Sequence, residues 1–473
     1  MEIKIALPKG RLLNKTASLL QTAGWGMDGY HEQARFYHLK SSAYPNLSAK
    51  MFHERDIPIQ VAIGNYDLGI CGRDWVEELL VKYPSSALVK IRDLDYGTGS
   101  LYMMAGLADM SMDVLRRKAG RGTVRIVSEY ANLAESFALE ERLRRFSVFP
   151  VWGGAEAYPP EDADLALICG QNGDGSSGMR MTPVARVLDF SAYLIANRSS
   201  WGAKDLDRVV ASICENCDHL PADEEIREEI EIKKERTRTT ERVEDGLVRI
   251  ALPDGHQQAP MLQLLEKAGI EIEDYPSPTG NRRPCIRNIE GVAAKVIRPQ
   301  DMPLQVANGN FDLAITGKDW LADHRYQFPS SPVKELLDLK SGKVRLVAVV
   351  SQKLAVKDAA DLRKFIEEST TPFRVASEYV NIADRYARDN HFGRYRVIPT
   401  WGATEAFLPD DADLLIENTE TGGTIARHNL KIIDTLFEST ACIIGNTRIK
   451  TGSAKGEKVK SIVETIRAAV EDA

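Results

Sequence analysis

Thr421-Gly422-Gly423-Thr424 follows an apolar run, Leu414-Leu415-Ile416, and precedes Ile425, the pattern of a strand, a tight turn and a helix start. Such a turn gathers unpaired backbone N–H groups at a helix N-terminus. The helix dipole and two threonine hydroxyls add to its attraction for an anion, so the chemistry it suits is a grip on a phosphate monoester. Glu417, at the strand end, is placed to accept hydrogen bonds from ligand hydroxyls. A second loop of interest is Lys9-Gly10-Arg11, after the apolar run Ile3–Leu7. Cations are disfavoured at a helix start unless an anion compensates them, so this pair points to a polyphosphate, with Arg11 binding in bidentate fashion. No Ser-His-Asp or Cys-His arrangement suggests a covalent nucleophile. Cys214 and Cys217 form a lone CxxC beside His219 with no second ligand pair at finger-like spacing, and no metal ligands are assigned.

The elements that must position these loops occur twice. IKIALPKG returns as VRIALPDG, Leu-Leu-x-x-Ala-Gly at 19–24 returns at 264–269, and DIPIQVAIGNYDLGICGRDW at 56–75 returns as DMPLQVANGNFDLAITGKDW at 301–320, all at one offset. SEYANLAE from Ser128 matches SEYVNIAD from Ser377, and PVWGGAEAYPPEDADL matches PTWGATEAFLPDDADL, at a slightly larger one. A period above 200 residues means duplicated domains, since solenoid repeats run about 20–50 residues. The copies span 1–214 and 247–473, and 215–246 reads as a densely charged, solvated linker. Within each copy, short β-rich runs alternate with amphipathic stretches, which predicts mainly parallel sheets flanked by helices, with ligands at the C-terminal strand ends.

The chemical loops are not duplicated equally. Asp254-Gly255-His256 replaces Lys9-Gly10-Arg11 in copy two, and an aspartate there is hard to reconcile with a phosphate ligand. Copy one has Ile168 where copy two has Glu417, and its loop at 167–184 is longer and lacks T-G-x-T. Asp74 and Asp319 read as helix N-caps, and Trp75, Trp152, Trp320 and Trp401 as packing residues. Asn132, Asn381, Tyr130 and Tyr379 read as caps of neighbouring helices or cleft-lining residues.

At 473 residues the chain exceeds one ordinary core, and 43% hydrophobic with 27% charged residues matches folded globular chains. A formal charge of −7 argues against a general nucleic-acid surface. The start MEIKIALPKGRLL lacks the apolar core of a signal peptide and no run approaches a membrane span, so the cytoplasm is expected and a membrane partner is not.

The opening LPKGRL, the RDIP segment at Arg55–Pro58, the DLGI-x-G-x-D segment at 67–74 and the E-x-x-x-T-G-x-T loop at Glu417–Thr424 together resemble the catalytic part of ATP phosphoribosyltransferase, the first enzyme of histidine biosynthesis. The resemblance covers nearly all of both copies, as a tandem duplication of the short form. It implies an α/β fold of two lobes per copy, like type II periplasmic binding proteins, with second lobes at about 98–190 and 343–439. It implies that N1 of ATP attacks the anomeric carbon of 5-phosphoribosyl diphosphate (PRPP) and displaces pyrophosphate, with Mg²⁺ accompanying the diphosphate. Thr421, Gly422, Gly423 and Thr424 would hold the 5-phosphate and Glu417 the ribose. Lys9 and Arg11 would face the polyphosphates, Glu405 of the Gly402-x-x-Glu405 segment would line the cleft, and Arg55 and its near-equivalent Arg298 would bind substrate. Long members carry a regulatory domain; only a short helical tail, Lys455–Ala473, follows the second copy here, so no such domain is expected. Short members use a partner resembling histidyl-tRNA synthetase, and the resemblance admits such a subunit here.

Family dimers bring the first lobe of one subunit beside the second lobe of the other, so the fused copies are expected to form an internal pseudo-dimer. Lys9 and Arg11 of copy one would then share a composite site with the 417–424 loop of copy two. Two other readings fit the same residues: a non-catalytic nucleotide- or phosphosugar-binding regulatory paralogue, and a phosphoribosyltransferase with another acceptor.

Overall fold

A computed structural model describes residues 2–27, 29–31, 37–107, 110–170, 181–217, 246–402 and 404–471. Of the charged joint at 215–246, residues 218–245, His219 among them, lie outside the described residues, as does the segment 171–180 of the copy-one loop.

Each copy is built around an apolar opening strand. Ile3–Pro8 lies between Leu47–Phe52 and Leu68–Gly72, parallel to both, and Val248–Pro253 lies likewise between Val292–Ile297 and Leu313–Gly317. Strands paired on both edges and covered on both faces need near-continuous apolar sequence, which Ile5, Ala6 and Leu7, all fully buried, supply.

The chain leaves the first lobe across 94–98, builds a second sheet beginning with Gly99–Ala105, and returns at 191 into Ala192–Asn197. Copy two crosses at 339–343 and at 440. The returning strands, Ala192–Asn197 and Ala441–Asn446, run antiparallel to both neighbours. The entering strands Gly99–Ala105 and Val344–Ser351 do so in the second lobes. The α/β two-lobed architecture is therefore as expected, but the sheets are mixed and only their three-strand cores are parallel. The reason is the double crossing: a strand arriving from the other lobe needs no helical crossover and can lie antiparallel. The final helix, Ala454–Glu471, is integral to the first lobe of copy two, burying Ile462, Val463, Ile466 and Val470 against Met261, Leu265 and Ile443. No described helix is long and apolar enough to cross a membrane.

Polar latches join the two lobes within each copy. Tyr130 donates its hydroxyl to Asp74 (2.7 Å), and the carboxylate of Glu78 accepts from the backbone N–H groups of Asn132 and Leu133, both at 2.9 Å. Tyr379 donates to Asp319 (2.7 Å), and Asp323 accepts from the backbone of Asn381 and Ile382. The N-caps of the helices Arg73–Lys82 and Lys318–Gln327 are Gly72 and Gly317, so Asp74 and Asp319 are not caps. They sit two residues further in, where a buried carboxylate can reach the opposite lobe. Asn132 and Asn381 belong to the same latches, each giving its side-chain amide to the facing acid.

The two copies pack head to tail. Phe52, Ile57, Val61 and Val76 of the first lobe of copy one share a core with Ile398, Phe407, Leu408 and Leu415 of the second lobe of copy two. Reciprocally, Val151, Ala157 and Tyr158 of copy one pack with Ile297, Met302 and Phe311 of copy two. A buried ion pair marks each interface: Lys50 with Asp411 at 2.5 Å, and Lys295 with Asp162 at 2.5 Å. These pairs are equivalent under the internal repeat, and Trp152 meets its own counterpart Trp401 at 6.0 Å between ring centroids, which places the pseudo-two-fold axis between them.

Candidate active site

The 417–424 loop begins where strand Leu414–Thr419 ends. Gly422, the N-cap of the short helix Gly423–Arg427, has φ of +77°, a conformation that costs a side-chain-bearing residue roughly 1 kcal/mol or more and that lets the chain turn directly into the helix. Thr419 Oγ1 accepts from the N–H of Gly422 (2.9 Å) and Thr421 Oγ1 from that of Gly423 (3.3 Å), while Arg427 donates to Thr424 Oγ1 (3.1 Å). The loop is exposed at Thr421, Gly423 and Thr424, so an anion bound here would meet its hydroxyls and take the N–H groups of Gly422 and Gly423 over from the loop's own threonines. The strand end is held by the copy-two latch: Asn418 donates its side-chain amide to the hydroxyl of Tyr379 (2.8 Å), which itself donates to Asp319.

Across the interface stands the first lobe of copy one. Lys9 is the extended N-cap residue ahead of Gly10–Leu12, and its Nζ lies 4.2 Å from the centre of the Tyr37 ring. Burial lowers its proton affinity, and the negative charges of Glu405 and Asp56 partly offset that effect. Arg55, just ahead of helix Asp56–Ala62, stacks its guanidinium on Trp401 (4.0 Å) and lies 5.1 Å from Trp75. The tryptophans therefore pack, as expected, but the packing also orients a cation.

Facing these cations are three carboxylates of copy two. Burial pushes Glu417 up to about 8, with the charges of Glu378 and Glu405 adding to the rise, and burial pushes Glu378 up to about 7, with Glu405 adding. Mutual repulsion in a desolvated cleft favours the protonated forms of Glu417 and Glu378, and these two titrate as a coupled pair. The consequence for stability has a definite sign. Folded-state values raised above the ordinary carboxyl range mean stability that is complete below about pH 4.5 and is lost as pH rises through about 7 to 8. Glu417→Gln should therefore flatten the decline of ligand-free stability over that window, by on the order of 1–3 kcal/mol at pH 8 in urea unfolding. Parallel pH profiles for the two proteins would overturn the assignment.

The structure thus sets Lys9 beside Glu405 and Arg55 over Trp401 across the interface between the copies, while Glu405 and Glu417 lie close together at the foot of the Thr421–Thr424 loop. Two expected members stand elsewhere. Arg11 points into copy one's own interlobe cleft, where Nε binds Glu54 (3.0 Å) and Nη2 binds both oxygens of Asp74 (2.8 Å each). Its guanidinium is a third element of the Asp74–Tyr130 latch, and a polyphosphate would have to compete with two nearly buried carboxylates for it. Arg298 lies on the reciprocal cleft, with Nη1 3.5 Å from Asp254. Glu378 and Tyr37 went unassigned in the sequence reading. Glu378 stood in the repeated SEY segment, whose acid alternates with buried Ser377 and Tyr379 and so must face the cleft edge; Tyr37 carried no signal.

A family model described as "HisG: ATP phosphoribosyltransferase" matches residues 53–217 and 298–468. The ATP phosphoribosyltransferase of Chlorobium phaeobacteroides is 32% identical over 230 residues, 48% of this chain and 72% of that protein, and that of Prosthecochloris aestuarii is 31% identical over 229 residues, 47% and 72%. Among solved structures, an ATP phosphoribosyl transferase (HisG:HisZ) complex from Thermotoga maritima aligns at 21% identity, covering 48% of this chain and 100% of that one with a TM-score of 0.39. The family match falls on both copies and covers well over half of the residues: the chain belongs to the ATP phosphoribosyltransferase family.

Proposed function

We propose that the composite cleft between the first lobe of copy one and the second lobe of copy two transfers the 5-phosphoribosyl group of PRPP to N1 of ATP, releasing pyrophosphate, as the entry step of histidine biosynthesis in the cytoplasm. The observation that carries this reading is the meeting of the two copies at this cleft: Lys9 lies over the Tyr37 ring, which stacks on His428 just beyond the Gly423–Arg427 helix (5.9 Å between centroids), and the charge of Glu405 acts on both Lys9 and Glu417.

In this reaction the bond from the anomeric carbon to the diphosphate oxygen breaks as the bond to N1 forms. Negative charge grows on the leaving group and positive charge on the ribosyl ring. Catalysis is then a matter of positioning and electrostatics rather than of a covalent nucleophile. The N–H groups and hydroxyls of Thr421–Thr424 hold the 5-phosphate, and Glu417, with Glu378 beside it, receives the ribose hydroxyls. A largely protonated Glu417 can both accept and donate there, and in its ionised form it would stabilise the positive charge that grows on the ribosyl ring. Lys9 meets the diphosphate, and Arg55, held over the Trp401 ring, supplies a second cation to the polyphosphates.

Mg²⁺ fits as a companion of PRPP. Among the described residues no three His, Cys, Asp or Glu side chains converge to hold a metal, and the diphosphate oxygens would supply most of its ligands, with a cleft carboxylate completing the set. The chemistry that such an ion would supply is neutralisation of charge on the leaving pyrophosphate. A regulatory subunit resembling histidyl-tRNA synthetase would complete a short-form assembly.

The test is direct. Purified full-length chain with ATP, PRPP, Mg²⁺ and pyrophosphatase should form the ultraviolet-absorbing N1-(5-phosphoribosyl)-ATP. Absence of product, with the chain alone and with a synthetase-like partner added, overturns the reading.

A further inference from the structure

The reciprocal cleft, between the first lobe of copy two and the second lobe of copy one, repeats the backbone of the first and inverts its chemistry. The carbonyl of Tyr37 accepts from Met51 N–H (3.0 Å) and that of Arg282 from Val296 N–H (2.8 Å), so Tyr37 and Arg282 stand at equivalent points beside equivalent strands. Lys9 corresponds to Asp254, each followed by a glycine at φ +78°. Glu417 lies opposite Val347 in its sheet, and Ile168 takes the same place opposite Tyr102. The acids Glu405 and Glu378 keep their chemistry, as Glu156 and Glu129.

Where the first cleft has an ammonium over an aromatic ring, the second has a guanidinium between two carboxylates. Arg282 Nε lies 3.0 Å from Glu156 Oε1 and Nη1 lies 3.0 Å from Asp254 Oδ2. Glu156 belongs to copy one and Asp254 to copy two, so this one side chain spans the cleft from wall to wall. It lies against Gly154, where a Cβ would sit 2.9 Å from Arg282 Cζ; the glycine is what admits the guanidinium. The neighbouring Arg283 crosses the same interface, giving Nη2 to the carbonyls of Ala157 (3.0 Å) and Pro159 (2.7 Å). A diphosphate entering here would have to displace two carboxylates from Arg282 while meeting both of them, and Ile168 would offer a ribose no acceptor.

We infer that each chain carries a single transfer site, and that the second cleft is held shut by Arg282 acting as a brace between the copies. The count of sites rests on the proposed function; the brace does not. Titration calorimetry of the full chain with Mg²⁺ and PRPP should give about one equivalent per chain, and two equivalents overturn the inference. No binding at all would instead remove the functional reading, and the brace is then judged by the second measurement. In Arg282→Gln, amide hydrogen exchange at 153–157 should rise by about tenfold or more, as a locally opened segment exchanges faster, while kcat/KM stays within about threefold of the parent. Unchanged exchange at 153–157, or a kcat/KM that falls by more than about threefold, overturns it.

Discussion

Lys9→Asp, which installs in copy one the residue that copy two carries at the same position, should lower kcat/KM for PRPP by about 10³-fold or more. The substitution removes the cation that stands with Glu405 and Asp56 in the composite cleft and adds another carboxylate to a place where Glu378 and Glu417 already resist ionisation. Both changes act on the diphosphate as its charge grows, so the loss should fall on kcat as well as on KM. Arg11→Gln provides the contrast. Because Arg11 neutralises Glu54 and Asp74 in the latch and does not face the 417–424 loop, its loss should appear first as a lower urea midpoint. A Lys9→Asp enzyme within tenfold of the parent in kcat/KM would remove Lys9 from the site, and with it the composite arrangement.

The second large effect concerns the interface that assembles the site. Lys50 and Asp411 are both essentially inaccessible to solvent, come from different copies and meet at 2.5 Å, with Tyr66 donating its hydroxyl to the same carboxylate oxygen at 3.2 Å. Lys50→Met leaves a carboxylate in an apolar core with only that hydroxyl, and should cost about 3–5 kcal/mol in urea unfolding. Lys50→Met combined with Asp411→Leu should recover most of it, since the expense lies in the unpaired charge rather than in losing the pair. A single-variant loss below about 1 kcal/mol would show that the two copies are not bound through this contact. Lys295 should behave similarly, although its second carboxylate, Glu161 at 2.8 Å, is only partly buried.

The residues that were legible in the sequence are those whose partners lie close along the chain. The T-G-G-T turn follows from glycine's backbone freedom and from a strand and a helix on either side of it, all within about a dozen residues. Lys9 was legible because a cation at a helix start needs an explanation wherever the rest of the chain goes. Arg11 satisfied the same local rule and was misread: its acids lie 43 and 63 residues further on, and nothing near it announces them. Asp74 and Asp319 failed similarly, since the spacing of an N-cap and that of a first-turn acid reaching a facing lobe differ by a residue or two. Arg282 had no signal at all, being an unremarked cation in a turn-rich stretch whose partners are a loop aspartate and a glutamate 126 residues earlier.

By itself, then, the sequence determined that there are two modules, that each alternates strands with helices, and that the phosphate loop and the basic loop survive in different copies. Those properties are carried by periodicity, turn chemistry and self-comparison, which are local or repeat exactly what is local. Only the tertiary structure decided that the two surviving loops face one another, that Arg11 is part of a latch and that Arg282 bars the other cleft. Each of these depends on which surfaces are buried together: an ion pair such as Lys50 with Asp411 forms between residues 361 positions apart because the head-to-tail packing removes both from water at one point, and side-chain type alone does not encode that meeting.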